Sequence, residues 1–318
     1  MAELKKNYNF GIIGTGYMAS EYVKVLKSFK FCKTISVLGS SENKTYKFQK
    51  KYNLNFAASS VKQLYYNQKV DFLIICVSED KLIKIIKKIE LYPWKCLFEK
   101  PLGVNLKQTE KIVKIINKKK NFLIGLNRRF YHSTQLALKE LQKYKNKKRI
   151  VEIIDQEDQL FQKKIGKSEK VIKNFMFVNS VHLIDYMNLF CRGRVVKIIT
   201  HQPFISYKKH IVEKTIFFSS GDICLYKCFW NIPHRWSVRI LVTNKEILLK
   251  PLETFKCNYK IKNKSINYLK KWDLNFKAGL KNQICEFINI AKKNETNFLM
   301  KPNKYLCLAH LINSLYFK

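Results

Sequence analysis

The sequence predicts an α/β protein in which an N-terminal doubly wound parallel sheet is followed by an α+β domain with a largely antiparallel, open sheet. Three observations predict it. The stretch Tyr8–Ala19 is an apolar strand running into G-x-G-x-x-A and then an amphipathic helix. Apolar runs of strand length then alternate with helical stripes as far as residue 127, as parallel strand-helix-strand units require. From Arg149 onward, strands of alternating polarity follow one another, as in an antiparallel sheet with one covered face.

The opening strand is Phe10–Ile13. In the turn after it, Gly14 permits a tight bend, Gly16 lets a pyrophosphate approach the backbone, and Ala19 lets helix and strand pack closely. Thr15, Tyr17 and Met18 complete a turn whose helix amino end suits a phosphate, because its first N–H groups have no partner in the helix. The pattern reads as a dinucleotide site. Met18, Tyr22, Val25, Leu26 and Phe29 form the inward stripe of the helix. Thr34–Leu38 is the second strand, and it ends in Gly39-Ser40-Ser41, where such a fold meets the adenosine ribose. An Asp or Glu there would accept from the ribose 2′-hydroxyl and select NAD. None stands there; Ser40, Ser41 and Lys44 favour a 2′-phosphate, hence NADP over NAD, with Glu42 and a missing Arg as counter-indications.

Lys44–Tyr52 reads as a helix, Val70–Val77 as a buried strand, and Leu82, Ile83, Ile86 and Ile89 as a helical stripe. Cys76, Val77 and Ser78 therefore lie at a strand end beside the cofactor. Lys95–Phe98, Leu106–Asn117 and Phe122–Leu126 read as strand, helix and strand. The first domain is then residues 1–127, with its working edge at the carboxyl ends of the strands.

Phe98-Glu-Lys-Pro-Leu-Gly103 and Gly125-Leu-Asn-Arg-Arg-Phe130 stand at that edge. A Lys between a Glu and a Pro has a carboxylate to hold it and a stiff backbone to aim it, which suits Lys100 to donate to a substrate oxygen. For a lysine elsewhere among the 54, a solvated ion pair is the plainer reading. With the glycine motif and a later His-x-x-Asp, these stretches resemble the Gfo/Idh/MocA oxidoreductases, the family of glucose-fructose oxidoreductase and inositol dehydrogenase. The resemblance spans nearly the whole chain. It implies a Rossmann domain holding NAD or NADP, Glu99 and Lys100 at the nicotinamide end, and a cis Lys100–Pro101 peptide. It also implies Lys100 and His182 as the catalytic pair, and a homodimer or homotetramer joined through the second sheet.

Beyond Tyr131, Leu136–Leu141 reads as a helix and Arg149–Gln156 as a strand of a second domain, residues 128–318. Lys163–Lys173 is charged and reads as a mobile loop. Phe175–Phe190 is an apolar helix carrying His182 and Asp185 one turn apart; the acid is placed to orient an imidazole whose ordinary pKa suits exchange of a hydroxyl proton. Many relatives place an Asp four residues before this His and a Gly two before it. Here Val178 and Ser180 stand instead, leaving Asn179 to bind a substrate hydroxyl without serving as acid or base. Ser78-Glu79 similarly stands where relatives often carry Pro-Asn. Arg128 and Arg129 are candidate anchors for a substrate carboxylate or phosphate.

Val195–Thr200, Thr215–Phe218, Ile223–Trp230, Trp236–Thr243 and Glu246–Leu249 read as successive strands. Their aromatics Phe217, Phe229, Trp230 and Trp236 supply either an oligomer face or internal packing. Leu280, Ile284, Phe287, Ile288 and Ala291 mark one closing helix, and Leu308, Leu311, Ile312 and Leu315 another; either can pack back on the first domain.

A chain of 318 residues with 47% hydrophobic content can bury a sizeable core. No run of about 18 apolar residues predicts a membrane span, and a strand starting near residue 8 leaves no room for a leader, so a cytoplasmic protein without membrane partners is expected. Nine scattered cysteines without C-x-x-C fit reduced thiols, and no metal site is expected. The net charge of +38 raises nucleic acid as a partner, but only seven of the 61 basic residues are Arg and the lysines are spread evenly. Nonspecific polyanion binding is expected, and no specific nucleic acid.

The reaction these features describe is hydride transfer at a hydroxyl- or carbonyl-bearing carbon of a sugar, cyclitol or nucleotide-activated sugar, in a site between the domains. The wording Asn179-Ser-x-His-Leu-Ile-Asp185 resembles relatives in surface-glycan pathways. A dinucleotide-binding sensor or scaffold without turnover is the alternative that Val178 keeps open.

Overall fold

The computed structural model describes residues 7–119, 121–206, 210–259, 271–293 and 298–317. They fall into two compact units: residues 1–103, 107–126 and 280–306, and residues 104–106, 127–279 and 307–318.

The first unit carries β1 (Tyr8–Ile13), α1 (Tyr17–Lys27), β2 (Cys32–Leu38), α2 (Glu42–Tyr52), β3 (Phe56–Ala57), α3 (Val61–Tyr66), β4 (Phe72–Ile75), α4 (Glu79–Ile89), β5 (Lys95–Glu99), α5 (Leu106–Ile116) and β6 (Phe122–Gly125). All six strands run parallel in the order β3-β2-β1-β4-β5-β6, so strand order reverses between β1 and β4. Both faces are covered, and the middles of the central strands are accordingly apolar: Phe10, Ile12, Ile74 and Leu97 are fully buried. Ser41 and Ser60 start α2 and α3 by accepting from the amides of Lys44 and Gln63. The helix α1 ends at Lys27, so Phe29 leaves the stripe assigned to it and stacks on Phe31 instead, 4.4 Å between centroids. The stretch Leu280–Lys293 belongs to this unit, with Phe287 packed edge-on against Phe72 at 5.2 Å. The side chain of Ala291 lies outside the described residues.

The second unit carries α6 (His132–Leu141), β7 (Arg149–Glu157), α7 (Gln159–Lys164), α8 (Glu169–Lys173), α9 (Val181–Phe190), β8 (Val195–Gln202), β9 (His210–Phe218), β10 (Ile223–Trp230), β11 (Ser237–Val242), β12 (Lys245–Leu249), β13 (Lys256–Tyr259) and α10 (Lys271–Asn275). The helices α11 (Leu280–Lys293) and α12 (Pro302–Phe317) end the chain. The seven strands lie in the order β13-β12-β11-β7-β10-β9-β8, antiparallel except for the β7–β10 pair. Alternation gives this sheet a buried face, with Val151, Ile153, Tyr226 and Ile240 at 1% exposure or less. The other face carries Ile150 and Leu225, both half-exposed, among the ion pairs Lys227–Glu213 and Arg239–Glu152.

Two expectations need correction here. Residues 163–173 are not a loop: α7 and α8 run through most of them, because Asp158 and Ser168 accept from the amides of Phe161 and Val171 and start each helix. Trp230 is fully buried, so it belongs to internal packing and not to an oligomer face. No helix among the described residues is long and apolar enough to cross a membrane.

Candidate functional site

In the first unit the chain leaves β1 through Gly14 at φ +126°, where a Cβ would stand 2.2 Å from the Cys76 carbonyl oxygen beyond β4. Only glycine fits. Gly16 is different: nothing lies within 4 Å of where its Cβ would be, so its backbone is open to a ligand. It is also the N-cap of α1, so no capping side chain covers the helix start, and the first turn carries no acid. A positive helix end of this kind suits an anion.

One pocket adjoins this turn, and a second meets the first at Ser40. The first, about 820 Å³, is lined by Thr15, Gly16, Tyr17, Ser40, Lys44 and Lys47 among others. The second, about 690 Å³, shares Ser40 and adds Ser59, Ser60, Lys62, Lys81 and Lys84. Among the described residues the one acid lining either is Glu21, which pairs with Lys24 at 2.7 Å. The surroundings of the adenosine side are therefore cationic, and the residues present fit a phosphorylated dinucleotide. Ser41 is partly committed, since its hydroxyl caps α2, whereas Ser40 faces both pockets. Met18 is half-buried and Tyr17 exposed at the mouth. Cys76 and Val77 are half-buried past the end of β4, and Ser78 caps α4 through its backbone alone. Burial, and then the charge of Glu99, push the Cys76 thiol well up, so it stays protonated.

Glu99 closes β5, buried, and its Oε2 accepts from the Tyr22 hydroxyl at 2.8 Å. The half-buried Lys100 follows it directly, and the Lys100–Pro101 peptide is cis.

In the second unit His182 lies on α9, 3% exposed. A π-helical turn, Met176–Ser180, leads into that helix. Two acids of β7 hold the turn from the sheet side. Glu157 accepts from Asn179 Nδ2 (2.9 Å) and from Ser180 Oγ (2.7 Å), and Asp155 accepts from Tyr226 Oη (2.8 Å), which meets Tyr316 Oη at 2.8 Å. Burial, reinforced by the neighbouring Asp155, holds Glu157 well above the usual carboxylate range; burial also raises Asp155, against the hydrogen bonds it accepts. Since its Nδ2 is given to Glu157, Asn179 has its carbonyl oxygen left to offer a ligand.

The two arginines have different fates. Arg129 is bound through Nε and Nη2 to both oxygens of Asp185, each at 2.6 Å, in a nearly buried pair. The pair commits these two guanidinium nitrogens to Asp185, and it sets a positive charge against the carboxylate foreseen for the His182 imidazole. Arg128 instead sits over the Trp236 ring, its Cζ 4.1 Å from the centroid. Its Nε and Nη1 are buried and meet no acceptor among the described residues. Such donors suit an anionic or oxygen-rich ligand. Sequence reasoning missed Asp155, Glu157, Tyr22 and Gln283. An alternating strand with acids at inward positions, R-I-V-E-I-I-D-Q-E, was the available signal for the first two.

Residues 8–127 match the model of the Gfo/Idh/MocA oxidoreductase family, NAD-binding Rossmann fold. No curated protein matches the chain by sequence. Among solved structures, UDP-N-acetylglucosamine 3-dehydrogenase GnnA from Acidithiobacillus ferrooxidans superposes with a TM-score of 0.75 at 13% identity, covering 98% of each chain. The dehydrogenase MviM from Clostridium difficile gives 0.75 at 17% identity, over 98% of this chain and 99% of that one. A levoglucosan dehydrogenase in complex with NADH gives 0.79 at 11% identity, over 98% and 96%. At these identities the likeness is one of fold.

Proposed function

We propose, starting from a first unit that carries the NAD-binding Rossmann fold of the Gfo/Idh/MocA oxidoreductases, that the chain is an NAD(P)-dependent dehydrogenase or reductase acting on a sugar, cyclitol or nucleotide-activated sugar. The observation that carries it is the turn at Gly14 and Gly16, tight where the chain must bend and open where a pyrophosphate must approach. Ser40, Lys44 and Lys47 support NADP as the preferred cofactor, since they offer hydroxyl and ammonium groups in a pocket whose carboxylate, Glu21, is paired with Lys24. Bound there, the nicotinamide supplies the hydride acceptor or donor.

Lys100, in this reading, donates a hydrogen bond to the substrate oxygen and stabilises the negative charge that grows on it. His182 takes the hydroxyl proton in the oxidation direction and returns it in reduction. Asn179 accepts from a neighbouring hydroxyl through Oδ1, and Arg128 meets a carboxylate or phosphate of the substrate. The half-exposed face of the second sheet, with Ile150, Leu225, Phe217 and Phe229, joins two copies, and the protein works in the cytoplasm. A role in surface-glycan synthesis accords with the nucleotide-sugar substrate named for GnnA.

Titration with NADH and NADPH, followed by nicotinamide fluorescence, tests the reading. The expected result is saturable binding, tighter for NADPH, and lost in Gly14→Asp. Binding of neither cofactor overturns it.

A further inference from the structure

The carboxyl edge of the first sheet holds a buried polar cluster in which two members, Tyr22 and Gln283, have no part in the roles assigned so far. Tyr22, on the inward face of α1, donates to Glu99 Oε2 at 2.8 Å, and Gln283 Nε2, on α11, donates to the Tyr22 oxygen at 2.9 Å. Tyr22 and Gln283 are fully buried. Burial, and then the charge of Glu99, raise the Tyr22 phenol well above its ordinary value, so it remains a donor. The chain of bonds therefore runs one way, from amide to phenol to carboxylate.

Gly125, at the end of β6, makes the room. A Cβ there would stand 2.5 Å from Gln283 Nε2 and 3.2 Å from Tyr22 Oη. Its φ is not in the left-handed region, so the close approach, and not the backbone conformation, is what calls for glycine. Helix α1, strands β5 and β6 and helix α11 thus meet on one carboxylate. A Glu side chain has three rotatable bonds, and a fixed donor on one oxygen removes most of that freedom.

The place of the cluster in the sheet gives it a use. Strand order reverses between β1 and β4, and a dinucleotide lies across that point. The β2 side, with Ser40 and the lysine-lined pockets, takes the adenosine half. The nicotinamide half then falls on the β4–β5 side, where Glu99 is a carboxylate at a strand end and can accept from a carboxamide N–H.

We propose that Tyr22 and Gln283 are positioning residues for the nicotinamide half of the cofactor, holding the Glu99 carboxylate in one orientation, and that residue 125 is glycine to admit them. The inference rests on the dinucleotide reading. Its test compares two probes on the full chain: NADH, which carries the nicotinamide nucleoside, and ADP-ribose, which lacks the base. Tyr22→Phe, Gln283→Met and Gly125→Ala disturb the cluster from three different elements. Each is expected to weaken NADH roughly tenfold, as loss of a hydrogen bond ordering a charged group does, while ADP-ribose affinity stays within about twofold. Equal losses for both probes in all three variants would make the cluster a packing element only and overturn the proposal, as would unchanged NADH binding. If the unaltered chain bound neither probe, the dinucleotide reading itself would have failed, and the proposal with it; ADP-ribose binding in the variants separates that case from a failure of the positioning role.

Discussion

The glycine-turn side of the first unit and the His182 side of the second handle their polar groups in opposite ways. The first leaves them open: the amides at Gly16, the Ser40 hydroxyl and several lysines face pockets of about 820 and 690 Å³. The second turns them inward and joins them, Asp155 and Glu157 beneath the Asn179–Ser180 turn and Arg129 on Asp185. A phosphate site works by presenting backbone, which needs openness and glycine. A proton-exchanging site works by burial, which shifts pKa values and fixes orientation. The first kind of site is written in short spacings and the second in contacts between distant residues.

The contrast breaks most sharply at Asp185. Asp185→Ala strands the nearly buried Arg129 charge and is expected to cost about 3 kcal/mol in urea unfolding, with most of it recovered in the double variant that adds Arg129→Met. A cost below about 1 kcal/mol would mean that the pair is not what holds Arg129, and would return it to the substrate. In the first unit the corresponding test is Lys100→Ala. Turnover should fall roughly a hundredfold while NADH affinity changes little; unchanged turnover removes Lys100 from the chemistry.

A smaller effect sharpens the comparison at Glu157. Its folded pKa lies above the unfolded one, so the folded chain binds the extra proton. The associated stability is full below the ordinary Glu range, about 4.3, and is lost as pH rises toward the raised folded value. Glu157→Gln abolishes that loss. The stability of the variant relative to the parent should therefore climb as pH rises above about 4.3, by at most about 1.4 kcal/mol per pH unit. Paired urea melts across that range measure it, and a flat difference would show that Glu157 is not held neutral by the fold.

The legibility of the sequence follows the same division. Gly14, Gly16 and Ala19 announced the turn because they stand at a fixed spacing within one strand-turn-helix stretch, and Glu99-Lys-Pro101 announced the strand end by composition. The short β3 and α3 escaped notice because two and six residues carry too little periodicity to register. In β7, Asp155 and Glu157 occupy inward positions that the alternation rule reserves for apolar side chains. Their alternation with Val151 and Ile153 was the one local sign that set them apart from solvent-facing acids. Gln283 reaches Tyr22 across 261 residues, and Asp185 reaches Arg129 across 56; such partners exist only once the chain is folded. The Asp158 and Ser168 caps, by contrast, were available as local signals, and the charge of residues 163–173 obscured them.

The central claim is that this chain moves hydride at a carbon bearing oxygen, and deuterium transfer tests it most directly. The purified protein is incubated with NADPH and NADH deuterated on either face of C4, against a panel of keto forms of sugars, cyclitols and UDP-sugars, and the products are weighed by mass spectrometry. The account predicts one deuterium on the carbinol carbon of at least one product, from one face of the cofactor, abolished in Lys100→Ala. Tight cofactor binding with no transfer to any member of the panel would contradict it and leave a dinucleotide-binding sensor in its place.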